Sequence, residues 1–182
     1  MSRITGFLLA AAFLVAASSS AQAPPAAPVP AAQSPSADTI WAYAGTWKIE
    51  IDRVDTPYSK AGHETSNLHN DCWKSGQYVA CRQIVDGDAK VLLVFTCTKP
   101  DHTCTSYQIP PNGEDPGSGP LVIEGNTWTF PWSIAEAGKT TYFRVVNVWT
   151  SPTTIDYRQE FSTDKLTWTR SASGHEVKTS PN

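Results

Sequence analysis

The chain has 182 residues, enough for one or two domains, and a formal net charge of −3. It is 40% hydrophobic and 17% charged, with 7 Trp, 6 Tyr and 6 Phe, which suits a folded domain with an aromatic core and excludes collagen-like and charge-rich disordered proteins. The negative charge argues against a nucleic-acid partner, because such a partner requires a basic face.

Residues 1–23 have the three parts of a signal peptide. Arg3 provides the positive start, the run FLLAAAFLVAA from Phe7 to Ala17 is apolar, and Ala21-Gln22-Ala23 has the small-x-small pattern of a cleavage site. The apolar run is shorter than the ~20 residues that span a bilayer, so we expect cleavage after Ala23. The sequence therefore predicts a periplasmic or secreted protein.

Residues 24–38 form a Pro/Ala-rich segment that has no side chain large enough to nucleate a core. This composition is typical of an extended, disordered linker. Alternatively, the segment acts as an arm that enters a partner's cleft. The folded domain is expected over residues 39–178, with a short tail at residues 179–182.

The segment from Thr39 to Lys178 consists of short β-branched and aromatic runs between turn signals such as Ser75-Gly76 and Gly125-Asn126. A short helical turn is expected around Thr39 to Ala44. The predicted strands are Trp47 to Asp52, Thr65 to Trp73, Gln77 to Val85, Lys90 to Thr98, Thr103 to Ile109, Pro120 to Glu124, Thr127 to Ile134, Thr140 to Thr150, Thr153 to Ser162 and Leu166 to Ser171.

This series of strands predicts an all-β domain. A long meander closes or folds over on itself, because open sheet edges invite aggregation. Regular hairpin connections favour an antiparallel up-and-down β-barrel of about 8–10 strands over a Greek-key sandwich.

The four cysteines suit an exported chain. A two-residue turn at Gly76-Gln77 places Cys72 opposite Cys81, and a turn at Pro100-Asp101 places Cys97 opposite Cys104. We therefore expect two disulfides across hairpins. The competing zinc site with four Cys ligands is disfavoured, since zinc ribbons use two C-x2-C knuckles and these spacings are longer.

No motif in the chain predicts catalysis, a metal or a cofactor. G-x-S-x-G and H-E-x-x-H are absent, and the glycine-rich stretch from Pro116 to Pro120 lacks the lysine of a phosphate loop. His63 and His69 would share one face of a strand, but no third ligand occupies a matching position. We therefore expect no metal and no catalytic residue.

The strand alternation predicts an interior lined by aromatic side chains. The apolar positions that would face inward are Trp47, Ile49, Ile51, Trp128, Phe130, Trp132, Phe143, Val145, Trp149, Ile155, Tyr157, Phe161, Leu166 and Trp168, and the polar ones are Asn147, Gln159 and Arg170. The candidate ligand-binding residues are Trp128, Phe130, Trp132, Phe143, Asn147, Tyr157 and Gln159. A mostly apolar lining with a few polar groups is typical of a ligand pocket, but bulky rings are also able to fill such a barrel.

Gly45-Thr46-Trp47, which follows the short helical turn, resembles the G-x-W signature of the lipocalins and the wider calycin barrels. The layout from Trp41 to Trp168 is more similar to that of secreted bacterial lipocalin-like domains of unknown function. The resemblance implies that Trp47 closes one barrel end and that a basic residue on the last strand packs across its ring. Arg170, on the same strand as Trp168, is the predicted counterpart.

Three functions remain open at the level of sequence. The first is a barrel that binds a small hydrophobic or amphipathic molecule in its lumen. The second is a periplasmic proteinase inhibitor that uses the Pro/Ala-rich arm, and the third is a filled scaffold without a small ligand. A membrane-embedded barrel is excluded, because the expected outward positions Lys48, Glu50, Asp52, Asp156, Arg158 and Glu160 are charged.

Overall fold

Ten antiparallel strands form a closed barrel in the computed structural model of this protein, which describes residues 35–98 and 103–181. Each strand pairs with its neighbours in sequence, and the last strand pairs with the first. The predicted all-β up-and-down barrel is confirmed. The strands are β1 (Gly45–Arg53), β2 (Gly62–Ser75), β3 (Tyr78–Val85), β4 (Asp88–Thr96), β5 (Thr103–Ile109), β6 (Gly117–Glu124), β7 (Thr127–Glu136), β8 (Lys139–Ser151), β9 (Thr154–Ser162) and β10 (Thr169–Ser180).

Each predicted strand has an observed counterpart, and the bounds differ most at the last one. The prediction of a strand from Leu166 to Ser171 is wrong in its limits, because β10 is Thr169–Ser180. Leu166, expected to face the interior, is 87% exposed in the preceding turn. Asp164 holds that turn, since its Oδ1 accepts backbone hydrogen bonds from Leu166 and Thr167, each at 2.8 Å.

A short helix, α1 (Ala37–Trp41), packs against β2, β3 and β4 at one end of the barrel, here called the closed end. It begins two residues earlier than the predicted helical turn, within the predicted linker. Ile40 of α1 is fully buried. The signal peptide and residues 24–34 of the linker lie outside the described residues.

The chain after α1 is fixed to the first two strands by hydrogen bonds at one carbonyl. The backbone oxygen of Tyr43 accepts from Nε1 of Trp47 and from Nδ2 of Asn70, both at 3.0 Å. Gly45 has a φ of 114°, and a Cβ there would collide with the backbone oxygen of Ser180. Only glycine fits this close approach of β1 and β10, which explains the first position of the G-x-W sequence.

Aromatic rings fill the closed end. The ring centroids of Trp47 and Trp149 are 5.6 Å apart, and those of Trp128 and Trp149 are 5.1 Å apart. Tyr43 joins this group, with its centroid 5.9 Å from that of Trp128. Trp47 itself is completely buried.

The prediction that Arg170 packs across the ring of Trp47 is wrong. The cation over this ring is Lys178, which also belongs to the last strand. Its Nζ lies 4.8 Å from the ring centroid and donates to the backbone oxygen of Ala42 at 2.7 Å. A register shift between Arg170 and Ala172 interrupts the inward alternation that the sequence suggests, and Arg170 is exposed. Trp168 is half-buried and carries a different cation, the guanidinium of Arg144, at 3.9 Å.

Both predicted disulfides are confirmed. Cys72 and Cys81 are cross-strand partners of β2 and β3 and form one disulfide. Cys97, which follows the end of β4, and Cys104 of β5 form the other. Both bridges belong to the closed end, where three of the four cysteines are buried. The turn residues Pro100 and Asp101 lie outside the described residues.

At the opposite end, the connection between β1 and β2 forms a strap, residues 54–61. Tyr58 in this strap packs edge-on against Phe143 at 5.0 Å and against Phe161 at 4.8 Å. Its hydroxyl is 3.1 Å from Oγ1 of Thr141. The strap therefore covers the side of this end that β8 and β9 form.

Candidate functional site

The barrel interior contains a cavity of about 520 Å³ above the closed end. Its walls are mainly apolar and include Leu93, Phe95, Phe130, Trp132 and Val145. Ligand pockets generally measure ~300–1,000 Å³ and have this kind of lining. The rings that the sequence places in the interior therefore do not fill it.

The cavity adjoins a stretch of β6 and β7 without paired positions, here called the gap. The paired positions of these two strands end at Val122 and Thr129, and continuing the register would place Pro120 opposite Pro131. Neither proline has a backbone N–H to donate, so the ladder is unable to continue through this position. Both prolines line the cavity, which indicates that it extends into the gap.

The inner part of the cavity holds two buried polar atoms without partners. These are Oδ1 of Asn147, a residue 2% exposed, and Oε2 of Glu176, a residue 4% exposed. Both residues line the cavity. The Asn147 side chain hydrogen-bonds to the Tyr43 phenol, whereas Oδ1 of Asn147 has no partner. An unpaired buried polar group costs ~1–3 kcal/mol, so this arrangement favours a molecule that supplies hydrogen bonds.

Burial controls ionisation at this inner part. It raises the pKa of the Glu176 carboxyl to about 7, against a smaller opposing effect from His175. It also raises the pKa of the Tyr157 phenol to about 12 and that of Tyr43 further. The two phenols are therefore neutral at physiological pH, whereas Glu176 changes its charge there.

Two further polar side chains of the cavity wall are hydrogen-bonded within the protein. Nε2 of Gln83 donates to Oδ1 of Asn70 at 3.1 Å, and Oγ of Ser106 donates to the backbone oxygen of Gly119 at 3.2 Å. These bonds stabilise the wall formed by β2, β3, β5 and β6. Among the described lining residues, the buried side-chain atoms without a partner are Oδ1 of Asn147 and Oε2 of Glu176.

Trp132 stands at the outer part of the cavity. It is 40% exposed, and its ring stacks on that of Phe143 with centroids 5.3 Å apart and planes inclined by 12°. Phe143 in turn contacts Tyr58 of the strap. The outer part therefore presents an aromatic surface next to the gap.

The structure brings four of the seven candidate ligand-binding residues to the cavity wall: Phe130, Trp132, Asn147 and Tyr157. Trp128 instead belongs to the aromatic group of the closed end, and Phe143 supports Trp132 from behind. Gln159 accepts a hydrogen bond from the Tyr157 hydroxyl at 3.2 Å. Gln159, two residues further along β9, thus orients the Tyr157 side chain in the cavity.

Sequence reasoning missed six polar residues of the lining: Tyr43, Gln83, Ser106, Gln108, Ser118 and Glu176. The pattern of β10 could have placed Glu176 in the interior. Directly paired residues face the same side of a sheet, and Glu176 pairs with the inward-facing Ile49 and Ile155 of the two adjacent strands. No comparable signal marks Tyr43, which reaches the cavity from the connection after α1.

Within residues 35–98 and 103–181, no group of three or more His, Cys, Asp or Glu side chains is arranged to hold a metal ion. His63 and His175 form outer-surface pairs with Asp52 and Asp156, each at 2.8 Å. His69 contacts Oγ1 of Thr46 at 3.0 Å. In the described part of the chain, none of the helices combines the length and apolarity needed to cross a membrane.

No protein-family model matches this chain, and no curated protein matches it in sequence. Among solved structures, the chain is similar to the crystal structure of Rv2717c from M. tuberculosis, with 10% sequence identity and a TM-score of 0.46. The match covers 79% of this chain and 96% of that chain.

Proposed function

We propose that this protein is an exported, lipocalin-like barrel that binds a small amphipathic molecule in its lumen. The observation that carries the proposal is the cavity of about 520 Å³, apolar along its walls, with unpaired polar atoms at its inner part. Two disulfides and the signal-peptide pattern of residues 1–23 support export into an oxidising compartment.

A filled scaffold is the weaker alternative. Protein interiors are close-packed, and voids larger than a water molecule are rare. A scaffold would also gain nothing from leaving Asn147 Oδ1 and Glu176 Oε2 buried without partners. A ligand that fills the cavity would pack against its walls and also supply hydrogen bonds to these two oxygens. The proteinase-inhibitor alternative depends on an arm whose residues 24–34 lie outside the described residues, and no observation favours it.

Blocking the cavity tests lumen binding directly. Gly119 faces the cavity, and a Cβ at this position meets only the backbone oxygen of Pro131, at 3.7 Å. Gly119→Phe therefore fits the backbone and places a ring in the lumen. Ser133→Phe adds the same ring at an exposed position of β7 and is the matched control.

The measurement is a fluorescence titration with N-phenylnaphthylamine, an apolar dye that brightens when it leaves water. The unmodified chain and Ser133→Phe should bind it saturably in equimolar amounts, whereas Gly119→Phe should lose at least about tenfold in affinity. Equal binding by the unmodified chain and Gly119→Phe would place the dye outside the lumen and overturn the proposal.

A further inference from the structure

We propose, on the premise that the lumen binds an amphipathic molecule, that the ligand's polar end is a primary ammonium group held by the Glu176 carboxylate and the Asn147 amide oxygen. The ligand class is thus an organic amine with an apolar body. This assignment follows from the hydrogen-bonding type of the unpaired atoms and from the charges that line the cavity.

The unpaired atoms call for donors. Oδ1 of Asn147 is only able to accept hydrogen bonds, and an ionised Glu176 is likewise an acceptor at both oxygens. A hydroxyl on the ligand supplies one donor, whereas a primary ammonium supplies three. The ammonium is therefore the ligand group with enough donors for both Asn147 and Glu176, which both act on the Tyr43 phenol.

The charge distribution favours a cation over an anion. Of the described residues that line the cavity, Glu176 alone carries a formal charge, and none is Lys or Arg. Neither inward-facing cation of the adjoining strands β1 and β10, Arg53 or Lys178, lines the cavity. Lys178 lies over the Trp47 ring and donates to Ala42, and Nη2 of Arg53 pairs with Glu64 at 2.8 Å, while the buried Nε of Arg53 has no partner. A fatty-acid carboxylate would therefore meet Glu176 without a compensating charge.

The groups around Glu176 allow it to ionise beside a cation. Tyr43 from the connection after α1 and Tyr157 from β9 face it as neutral phenols, and His175 is its neighbour on β10. Burial disfavours the charged carboxyl when no cation lies beside it. An ammonium within hydrogen-bonding distance reverses that balance, because the opposite charge favours the carboxylate.

The test compares ligands that share one apolar chain: decylamine, decanol, decanoate and decyltrimethylammonium. Calorimetric titration of the full chain should show decylamine binding at least about tenfold more tightly than decanol, because charge-assisted hydrogen bonds are stronger than neutral ones. Decyltrimethylammonium carries the charge without N–H donors and should bind more weakly than decylamine. Decanoate should bind least tightly.

Two matched variants locate the effect. Glu176→Gln keeps the shape and removes the charge, so the preference for decylamine over decanol should fall to about one. Glu64→Gln removes an exposed carboxylate that is paired with Arg53 at the strap end and does not line the cavity, and the preference should persist. In the unmodified chain the preference should also decrease from about pH 8 to about pH 5, as Glu176 is protonated.

The outcomes separate the two proposals. Equal affinities for decylamine and decanol, tighter binding of decanoate, or a preference that survives Glu176→Gln would overturn the amine assignment and leave lumen binding intact. If none of the four compounds binds and the dye titration with Gly119→Phe is also negative, both proposals fail together.

Discussion

Lys178 and Trp47 connect the last strand of the barrel to the first, with Nζ 4.8 Å from the indole centroid. The same Nζ donates to Ala42 at 2.7 Å, so one side chain holds β10, β1 and the segment after α1 together. The interaction therefore stabilises the closed end of the barrel, above which the cavity lies.

Lys178→Met should lower the free energy of unfolding by about 1–3 kcal/mol, because it keeps most of the aliphatic stem but loses the cation over Trp47 and the bond to Ala42. Urea unfolding followed by tryptophan fluorescence measures the change. Lys139→Met, at an exposed position of β8, is the control and should stay within about 0.5 kcal/mol of the unmodified chain.

Glu176 should make the protein less stable as pH rises. Its carboxyl has a pKa of about 7 in the folded state, against an ordinary value of 4.5. Between these values the folded protein keeps a proton that the unfolded chain releases, so the free energy of unfolding falls across this window. Glu176→Gln lacks this loss and should exceed the unmodified chain by up to roughly 3 kcal/mol above the window.

Urea unfolding at a series of pH values measures this difference. At about pH 4 the two proteins should be nearly equally stable, since both side chains are then neutral. Glu64→Gln gives a control of opposite sign, because the hydrogen bond from Arg53 lowers the pKa of Glu64. Stability curves of Glu176→Gln and the unmodified chain that run parallel at all pH values would contradict the prediction.

Gly174→Ala should destabilise the protein by about 1–3 kcal/mol through overpacking. A Cβ at Gly174 would collide with the backbone oxygen of Glu50 and lie 3.0 Å from Cα of Ile51, so β1 would have to move. Gly62→Ala is the matched control, because a Cβ there meets no atom within 4 Å. Equal thermal unfolding midpoints of the two variants would contradict the prediction, because they would show that β1 moves away from the new Cβ without a loss of stability.

The gap between β6 and β7 should act as the route into the lumen. Replacing both Pro120 and Pro131 by Val restores two backbone donors and should extend the ladder, which would slow both entry and release of the dye. Stopped-flow fluorescence measures the two rate constants. Tyr58→Ala opens the strap instead, and rates that rise with this variant but do not change with the proline pair would place the entrance at the strap.

The disulfides should contribute to stability separately. Replacing Cys97 and Cys104 together by Ser should cost about 2–3 kcal/mol, since the bridge restricts the unfolded chain, and the Cys72/Cys81 pair should cost a similar amount. Titration of the denatured, unreduced protein should detect no free thiol, because all four cysteines are paired. An unfolding free energy that neither double replacement lowers would argue against a structural role for the bridges.

Local patterns were sufficient to predict the strands and the cysteine pairs. Alternation of apolar and polar residues defines a strand within its own few residues, and a hairpin turn fixes which residues of two adjacent strands are opposite each other. Cys72 and Cys81 could therefore be paired by numbering outward from the turn at Gly76. The observed register has the same pair.

Residues that lie far from their partners in sequence could not be placed in the same way. The irregularity between Arg170 and Ala172 moves Arg170 to the exposed surface, and simple alternation does not reveal it. Trp128 and Phe130 share one inward stripe of β7, yet the first is part of the closed end and the second lines the cavity. Depth along a barrel depends on strand stagger and on what covers each end.

The sequence by itself determined that this chain forms a meander of amphipathic strands with two hairpin disulfides, because those features arise from neighbouring residues. Only the tertiary structure decided that the interior contains a cavity and that Glu176, Asn147 and Tyr43 line it together. These side chains come from β10, β8 and the connection after α1. Their approach, and the burial that shifts the Glu176 pKa, exist only once the barrel has closed.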